Sequence, residues 1–226
     1  MKLFIVATPI GNLSDLSPRA AEILKNSDAI LCEDTRVSLK LLQHLEIKKQ
    51  LIALHQHSDD KRISEIIGML KEGKTLSLVT DAGTPAISDP GGKFVEEAIK
   101  ALGDDLEIIP IPGPCAAIGA LSISGFPADN FLFLGFPPHK KGRQTYFERV
   151  ASTEDTVVFY ESTHRILKTL NELEKKIGER KTVVCRELTK LHETTYRGTA
   201  IEVTKRLEKG SIKGEFVIVI CPKSFT

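Results

Sequence analysis

Over roughly its first 110 residues the chain alternates short apolar runs with segments whose apolar residues recur at helical spacing. The runs at 3–7, 29–32, 51–54, 75–79 and 106–109 read as strands. Between them lie four apolar stripes: Ala20, Ala21, Ile23 and Leu24; Leu39, Leu41, Leu42 and Leu45; Ile63, Ile66, Ile67 and Leu70; and Phe94, Val95, Ala98, Ile99 and Leu102. Each stripe gives a helix one buried face. The first helix starts at Pro18 with Ser17 as its N-cap. Strands alternating in this way with helices imply a mostly parallel, doubly wound sheet, since parallel neighbours need a crossover and a helix supplies it.

The fourth strand runs into Asp81-Ala82-Gly83-Thr84-Pro85-Ala86-Ile87-Ser88-Asp89-Pro90-Gly91-Gly92, followed by a helix over 93–102. Ligands of open α/β sheets bind just past the carboxyl ends of strands. A loop this poor in bulk lets a ligand come close to the backbone. A tight surface turn would use the same residues, so the loop alone leaves both readings open. Three prolines at 110–114 stop the sheet and mark a junction between an N-terminal α/β domain, 1–113, and a C-terminal mixed α/β domain, 114–226. The second half opens with a small-residue helix at 115–124. Strands follow at 131–134, 156–160, 182–185 and 215–220, separated by helices over 165–177 and near 200–207.

Composition narrows the function classes. At 226 residues, with 41% hydrophobic and 27% charged residues, the chain is an ordinary globular protein with a sizeable core. Its net charge of +1 exerts no global pull on nucleic acid, so any RNA contact must come from a local patch. Cys32, Cys115, Cys185 and Cys221 form no CxxC pair, which fits reduced thiols in a cytoplasmic protein and not a disulfide framework or zinc site. The apolar run at 2–7 is too short for a signal peptide or membrane span, so a soluble intracellular protein without a membrane partner is expected. His55 and His57 share a polar loop and read as loop residues; no metal site is expected. The dinucleotide pattern GxGxxG, the P-loop GxxxxGK[ST] and the nucleophile elbow GxSxG are all absent. Two ligand-type loops, 81–92 and 112–117, remain without a nucleotide or hydrolase signature.

Several stretches carry a resemblance. Thr8-Pro9-Ile10-Gly11-Asn12-Leu13, Glu33-Asp34-Thr35-Arg36, Asp81-Ala82-Gly83-Thr84-Pro85 with Ile87-Ser88-Asp89-Pro90-Gly91, and Pro112-Gly113-Pro114 all contribute. So do Tyr160-Glu161-Ser162 with His164-Arg165, Arg186-Glu187-Leu188-Thr189-Lys190, and Gly214-Glu215-Phe216. In this order, over nearly the whole chain, they resemble the 16S ribosomal RNA (cytidine-2′-O) methyltransferases of the tetrapyrrole-methylase superfamily. The resemblance implies an S-adenosyl-L-methionine enzyme, a homodimer, with the cofactor in a cleft between two α/β domains. Its methyl acceptor would be the ribose 2′-hydroxyl of a cytidine in 16S rRNA of the small ribosomal subunit. Carried over by motif, the cofactor contacts are Pro9, Ile10, Asp81, Gly83, Thr84, Ile87, Ser88, Pro112, Cys115, Ala116, Tyr160 and Glu161. Cys115 stands where the family usually has Ser, and Thr163 where it usually has Pro. The chain stops just after its last strand, whereas many relatives extend further, which bears on the expected RNA-docking surface.

Methyl transfer from a sulfonium to a weakly acidic hydroxyl needs positioning and proton removal. Glu161, Glu187 and Asp34 are the candidate bases and Lys190 a candidate desolvated amine, each equally readable as a partner in a structural ion pair. For RNA, the basic loop His139-Lys140-Lys141-Gly142-Arg143 offers phosphate contacts, and Arg36, Arg165 and Arg186 lie within the resembling motifs. Arg or His side chains could stack on an extruded cytosine. Two other functions share these features: a methylase of tetrapyrrole (corrin or sirohaem) precursors, and a non-catalytic module that holds the cofactor or RNA without turnover.

Overall fold

The computed structural model describes residues 1–55 and 60–225. The chain separates into two units, Met1–Cys115 and Ala116–Thr226, a junction two residues beyond the one expected. In the first unit five strands, β1 (Lys2–Val6), β2 (Ala29–Cys32), β3 (Gln50–Ala53), β4 (Thr75–Leu78) and β5 (Glu107–Ile111), form one sheet in the order β3-β2-β4-β1-β5. Every neighbouring pair is parallel. The crossovers are α1 (Pro18–Asn26), α2 (Thr35–His44), α3 (Asp60–Lys71) and α4 (Gly91–Leu102). Ser17 caps α1, its hydroxyl accepting the Ala20 amide at 3.1 Å. Alternation along the strands sends residues to two separate cores. Leu3, Leu31, Leu76 and Leu78 pack with Ile66 and Leu70 of α3 and Phe94 and Ala98 of α4. Val6, Ile30, Cys32 and Ile111 pack with Ala20 and Leu24 of α1 and Leu41 and Leu42 of α2. The sheet is doubly wound, as expected.

One detail differs. The prolines at 110–114 do not stop the sheet: β5 runs through Pro110, which pairs with Ile5. A strand on the edge has one side without a ladder partner, so a missing N–H is tolerated there.

The second unit carries α5 (Ala116–Ser124), β6 (Phe131–Phe133), α6 (Arg143–Ser152), β7 (Thr156–Ser162), α7 (Ile166–Ile177), β8 (Thr182–Arg186), β9 (Thr194–Gly198), α8 (Ala200–Glu208) and β10 (Glu215–Ile220). Its sheet has the order β6-β7-β10-β8-β9 and is mixed: β6 pairs parallel with β7, and the other pairs are antiparallel. On one face Phe159, Phe216 and Ile218 pack under α6, α7 and α8. Alternation turns Val158, Val217 and Val219 to the other face, where α5 lies against β7 and β10. α6 and β9 are additions to the expected elements. Among the described residues no helix is long and apolar enough to cross a membrane, and no three His, Cys, Asp or Glu side chains group to hold a metal ion. His57 lies outside the described residues.

Candidate functional site

Strand order alone locates the first unit's ligand edge. From β1 the chain crosses over β4 to reach β2, and from β4 it crosses over β1 to reach β5. The loops after β1 and β4 therefore leave in opposite directions, which makes the pair a topological switch point. They are sewn together at the carboxyl edge. Thr8 and Gly83 exchange backbone hydrogen bonds at 2.9 and 3.1 Å, and the buried Thr8 hydroxyl donates to the Thr80 carbonyl at 3.0 Å. Gly83 sits at φ +88°, where a Cβ would meet Ile10 at 3.4 Å. The loop after β5 joins them: the Thr84 hydroxyl donates to the Pro114 carbonyl at 3.1 Å. A Cβ on Gly113 would come within 2.9 Å of the Ala7 Cβ, so glycine is required for this approach. Pro9, Ile10, Asp81, Gly83, Thr84, Pro112 and Cys115 are thus gathered on one edge.

The stretch 86–88 projects from this edge. Ala86 and Ser88 both have positive φ, +69° and +65°, a strained conformation for residues with a Cβ. Asp89 holds the turn, its Oδ1 accepting the Ala86 and Gly91 amides at 2.9 and 2.7 Å. The turn leaves Ile87 and Ser88 exposed. The rim is acidic. Burial pushes the Asp81 carboxyl above its ordinary value, against the hydrogen bond it accepts from the Asp34 amide at 3.1 Å. Burial, reinforced by the charges of Asp81 and Asp89, likewise raises Glu33. Asp34 goes the other way, held at about 2 by hydrogen bonds from the Arg36 guanidinium and amide. It is an ionised partner of Arg36.

In the second unit β7 ends on Tyr160-Glu161-Ser162. The Tyr160 hydroxyl accepts the Ala117 amide in the first turn of α5 at 3.2 Å. The Glu161 side chain has 0% exposure. Its Oε1 accepts from Arg165 Nε and the Ser162 amide, each at 2.8 Å, and its Oε2 from the Thr169 hydroxyl at 2.6 Å. Arg143, at the start of α6, reaches Thr169 at 2.7 Å and Glu172 at 2.7 Å, with Nη1 4.0 Å from Glu161. Each arginine also donates to one of two consecutive carbonyls: Arg165 to Pro137 at 2.7 Å and Arg143 to Pro138 at 3.1 Å. Glu161 is therefore the centre of a buried ion cluster, its side chain shielded from solvent.

The stretch 186–190 forms a second cluster. Arg186 is buried and donates to the carbonyls of Lys213 at 2.6 Å and His192 at 3.0 Å. Glu187, at φ +53°, accepts Lys190 Nζ at 3.0 Å and the Glu215 amide at 2.8 Å. Desolvation works to raise Glu187, but the Glu215 amide and Lys190 outweigh it and hold the carboxyl below its ordinary value. Desolvation works to lower Lys190, but Glu215 and Glu187 outweigh it and hold the ammonium above its ordinary value. Lys190 is thus a charged ammonium, in contrast to the desolvated amine expected of it.

The six expected RNA cations divide by exposure. Arg36, Lys140 and Lys141 face solvent, whereas Arg143 and Arg186 are buried and Arg165 partly so, their guanidinium groups engaged. Sequence reading passed over Phe136, whose ring is 50% exposed and lies 5.3 Å from that of Tyr160. Its signal was an aromatic between Gly135 and two prolines, beside the basic run.

The chain is similar to known proteins along its length. The sequence profile of the tetrapyrrole (corrin/porphyrin) methylases matches residues 2–204. A protein of Halalkalibacterium halodurans named ribosomal RNA small subunit methyltransferase I is 45% identical over 219 residues, 96% of this chain and 75% of that one. One of the same name from Thermotoga maritima is 42% identical over 222 residues, 98% of this chain and 99% of that one. Among solved structures, a diphthine synthase superposes with a TM-score of 0.77 at 13% identity, covering 100% of this chain and 92% of that one, a likeness of fold.

Proposed function

The chain belongs to the tetrapyrrole (corrin/porphyrin) methylase family, and on that premise we propose that it methylates ribosomal RNA of the small subunit, at the ribose 2′-hydroxyl of a cytidine. S-Adenosyl-L-methionine is the methyl donor of the family. The observation that carries the substrate is the likeness, over nearly all of this chain, to proteins named ribosomal RNA small subunit methyltransferase I.

The first unit's edge fits that cofactor. Gly83, Thr84 and Gly113 leave backbone and small side chains where an adenosine needs close approach. Ile10, Ile87, Pro9 and Pro112 supply apolar walls. Asp81 and its acidic neighbours suit a ligand bearing a sulfonium and an ammonium and disfavour an anionic one. When bound, the cofactor supplies an electrophilic methyl group.

The chain's own residues then have to bring a hydroxyl in line with that methyl group, and orientation contributes most of such an effect. Glu187 is our candidate for orienting it. Its carboxylate stays ionised at neutral pH and acts as a hydrogen-bond acceptor, while the Lys190 ammonium fixes its position. Lys140, Lys141 and Arg36 are the proposed phosphate contacts.

Tritiated S-adenosyl-L-methionine with small subunits lacking the modification, followed by mapping of the label, tests the proposal. Label on a cytidine ribose is expected. Label on a base, or transfer only to a tetrapyrrole precursor, would overturn it.

A further inference from the structure

The segment between β6 and α6 is held more tightly than a surface loop needs to be. The Leu134 amide donates to the Val158 carbonyl at 3.0 Å, and the Tyr160 amide to the Gly135 carbonyl at 2.8 Å. The next two carbonyls, of Pro137 and Pro138, each take one arm of an arginine whose other donors go to the buried Glu161 cluster. Phe136 stands at the middle of this pinned stretch. One edge of its ring rests on Tyr160, which is braced in turn by Phe133 at 5.1 Å, and half of its surface is open to solvent. His139, Lys140 and Lys141 follow directly and are exposed. Among the described residues no carboxylate lies within ion-pair distance of either lysine.

An aromatic ring held in place with half of its surface open offers a flat face that a partner can cover. The unpaired cations beside it say what kind of surface that is. Single-stranded nucleic acids are gripped by aromatic rings on which bases stack, set next to cations that follow the backbone. Neutral apolar partners would leave the lysines unused, and an acidic peptide carries a flat group only at some positions, whereas every nucleotide sets a flat base beside a phosphate. We propose that Phe136 is a stacking platform for an unpaired nucleobase of the RNA substrate, with Lys140 and Lys141 on the adjoining phosphates. The buried Glu161–Arg143–Arg165 cluster is the anchor that keeps this platform in place. The inference rests on the ribosomal RNA reading above and adds the residue that receives a base.

Stacking and phosphate contacts separate by salt. Binding of a cytidine-rich single-stranded RNA of about ten nucleotides would be measured at several salt concentrations for the wild type, Phe136→Leu, Phe136→Trp and the Lys140→Ala/Lys141→Ala pair. Phe136→Leu keeps an apolar side chain, so the fold is retained. It is expected to weaken binding about 5- to 100-fold at every salt concentration, with an unchanged slope. Phe136→Trp should restore affinity to within about twofold of wild type. The lysine pair should instead flatten the slope by about 1.4, at about 0.7 per phosphate contact. Affinity for S-adenosyl-L-methionine should stay unchanged throughout. If Phe136→Leu binds RNA as wild type does while the lysine pair weakens it, the platform is wrong and the RNA reading stands. If Phe136→Leu loses cofactor affinity instead, the ring belongs to the cofactor and the proposal falls. If the wild type neither binds this RNA nor labels the subunit, both readings fall together.

Discussion

Glu161→Ala is the perturbation whose cost the structure specifies best. The carboxylate is wholly buried between Arg165 at 2.8 Å and Thr169 at 2.6 Å, with Arg143 at 4.0 Å. Removing it leaves two guanidinium groups in the interior with Glu172 as their remaining carboxylate, which has about a third of its side chain exposed. Taking one partner out of a buried pair costs about 3–5 kcal/mol. For a unit of this size that corresponds to a fall in melting temperature of about 10–25 °C. Glu161→Gln keeps the shape and an acceptor for Arg165, so it should lose roughly half as much. A triple change, Glu161→Leu with Arg143→Met and Arg165→Met, removes the stranded charges and should be less destabilised than Glu161→Ala alone. Urea unfolding followed by circular dichroism, with thermal melts alongside, gives all three values. A loss below about 1 kcal/mol for Glu161→Ala would put the pair in the range of exposed ion pairs and refute the buried-cluster account.

Further outcomes are expected elsewhere in the molecule. Gly83→Val forces a β-branched side chain into a positive-φ position 3.4 Å from Ile10, so calorimetry should show weakened S-adenosyl-L-methionine binding; normal binding would remove this loop from the proposed site. Cys115 is the one cysteine that is not buried, and burial raises Cys185 to about 11. Maleimide should therefore label Cys115 first, and the cofactor should slow that labelling; rapid labelling of Cys185 would contradict the packing of β8. Glu187 is held below its ordinary value, so its contribution to stability is present above the ordinary carboxylate range and is lost as pH falls through its folded value. Lys190→Met should accordingly destabilise the protein at neutral pH and converge with wild type in acid; a constant difference across pH would count against the pair.

Much of the first unit was legible because its elements are local. β-Branched runs and helical stripes carry their own period, and the loop at 81–92 announced itself through small residues at a strand's end. The misses have a common physical cause. β9, Thr194–Gly198, lies at a sheet edge with no fully buried residue, so it lacks the apolar run of a central strand. α6 was hidden because its first residue, Arg143, reads as part of a basic loop, yet its guanidinium closes on Glu172 and Thr169, 29 and 26 residues away. Charged side chains are read as exposed by default, and only tertiary contacts reveal that Arg143, Glu161 and Arg186 are inside. Phe136 is the converse, an aromatic that the same default places in a core.

Pro110 has a consequence for the protein in a crowded solution. The border strand of an open sheet is a template on which a foreign strand can add itself, and such growth leads to aggregates. Along β5 that template is broken near its carboxyl end by a residue with no amide hydrogen to offer and a ring standing in the way. The strand that leads into 112–115 is in this way unsuited to recruiting neighbours, and its edge acts as a built-in guard against self-association through the sheet.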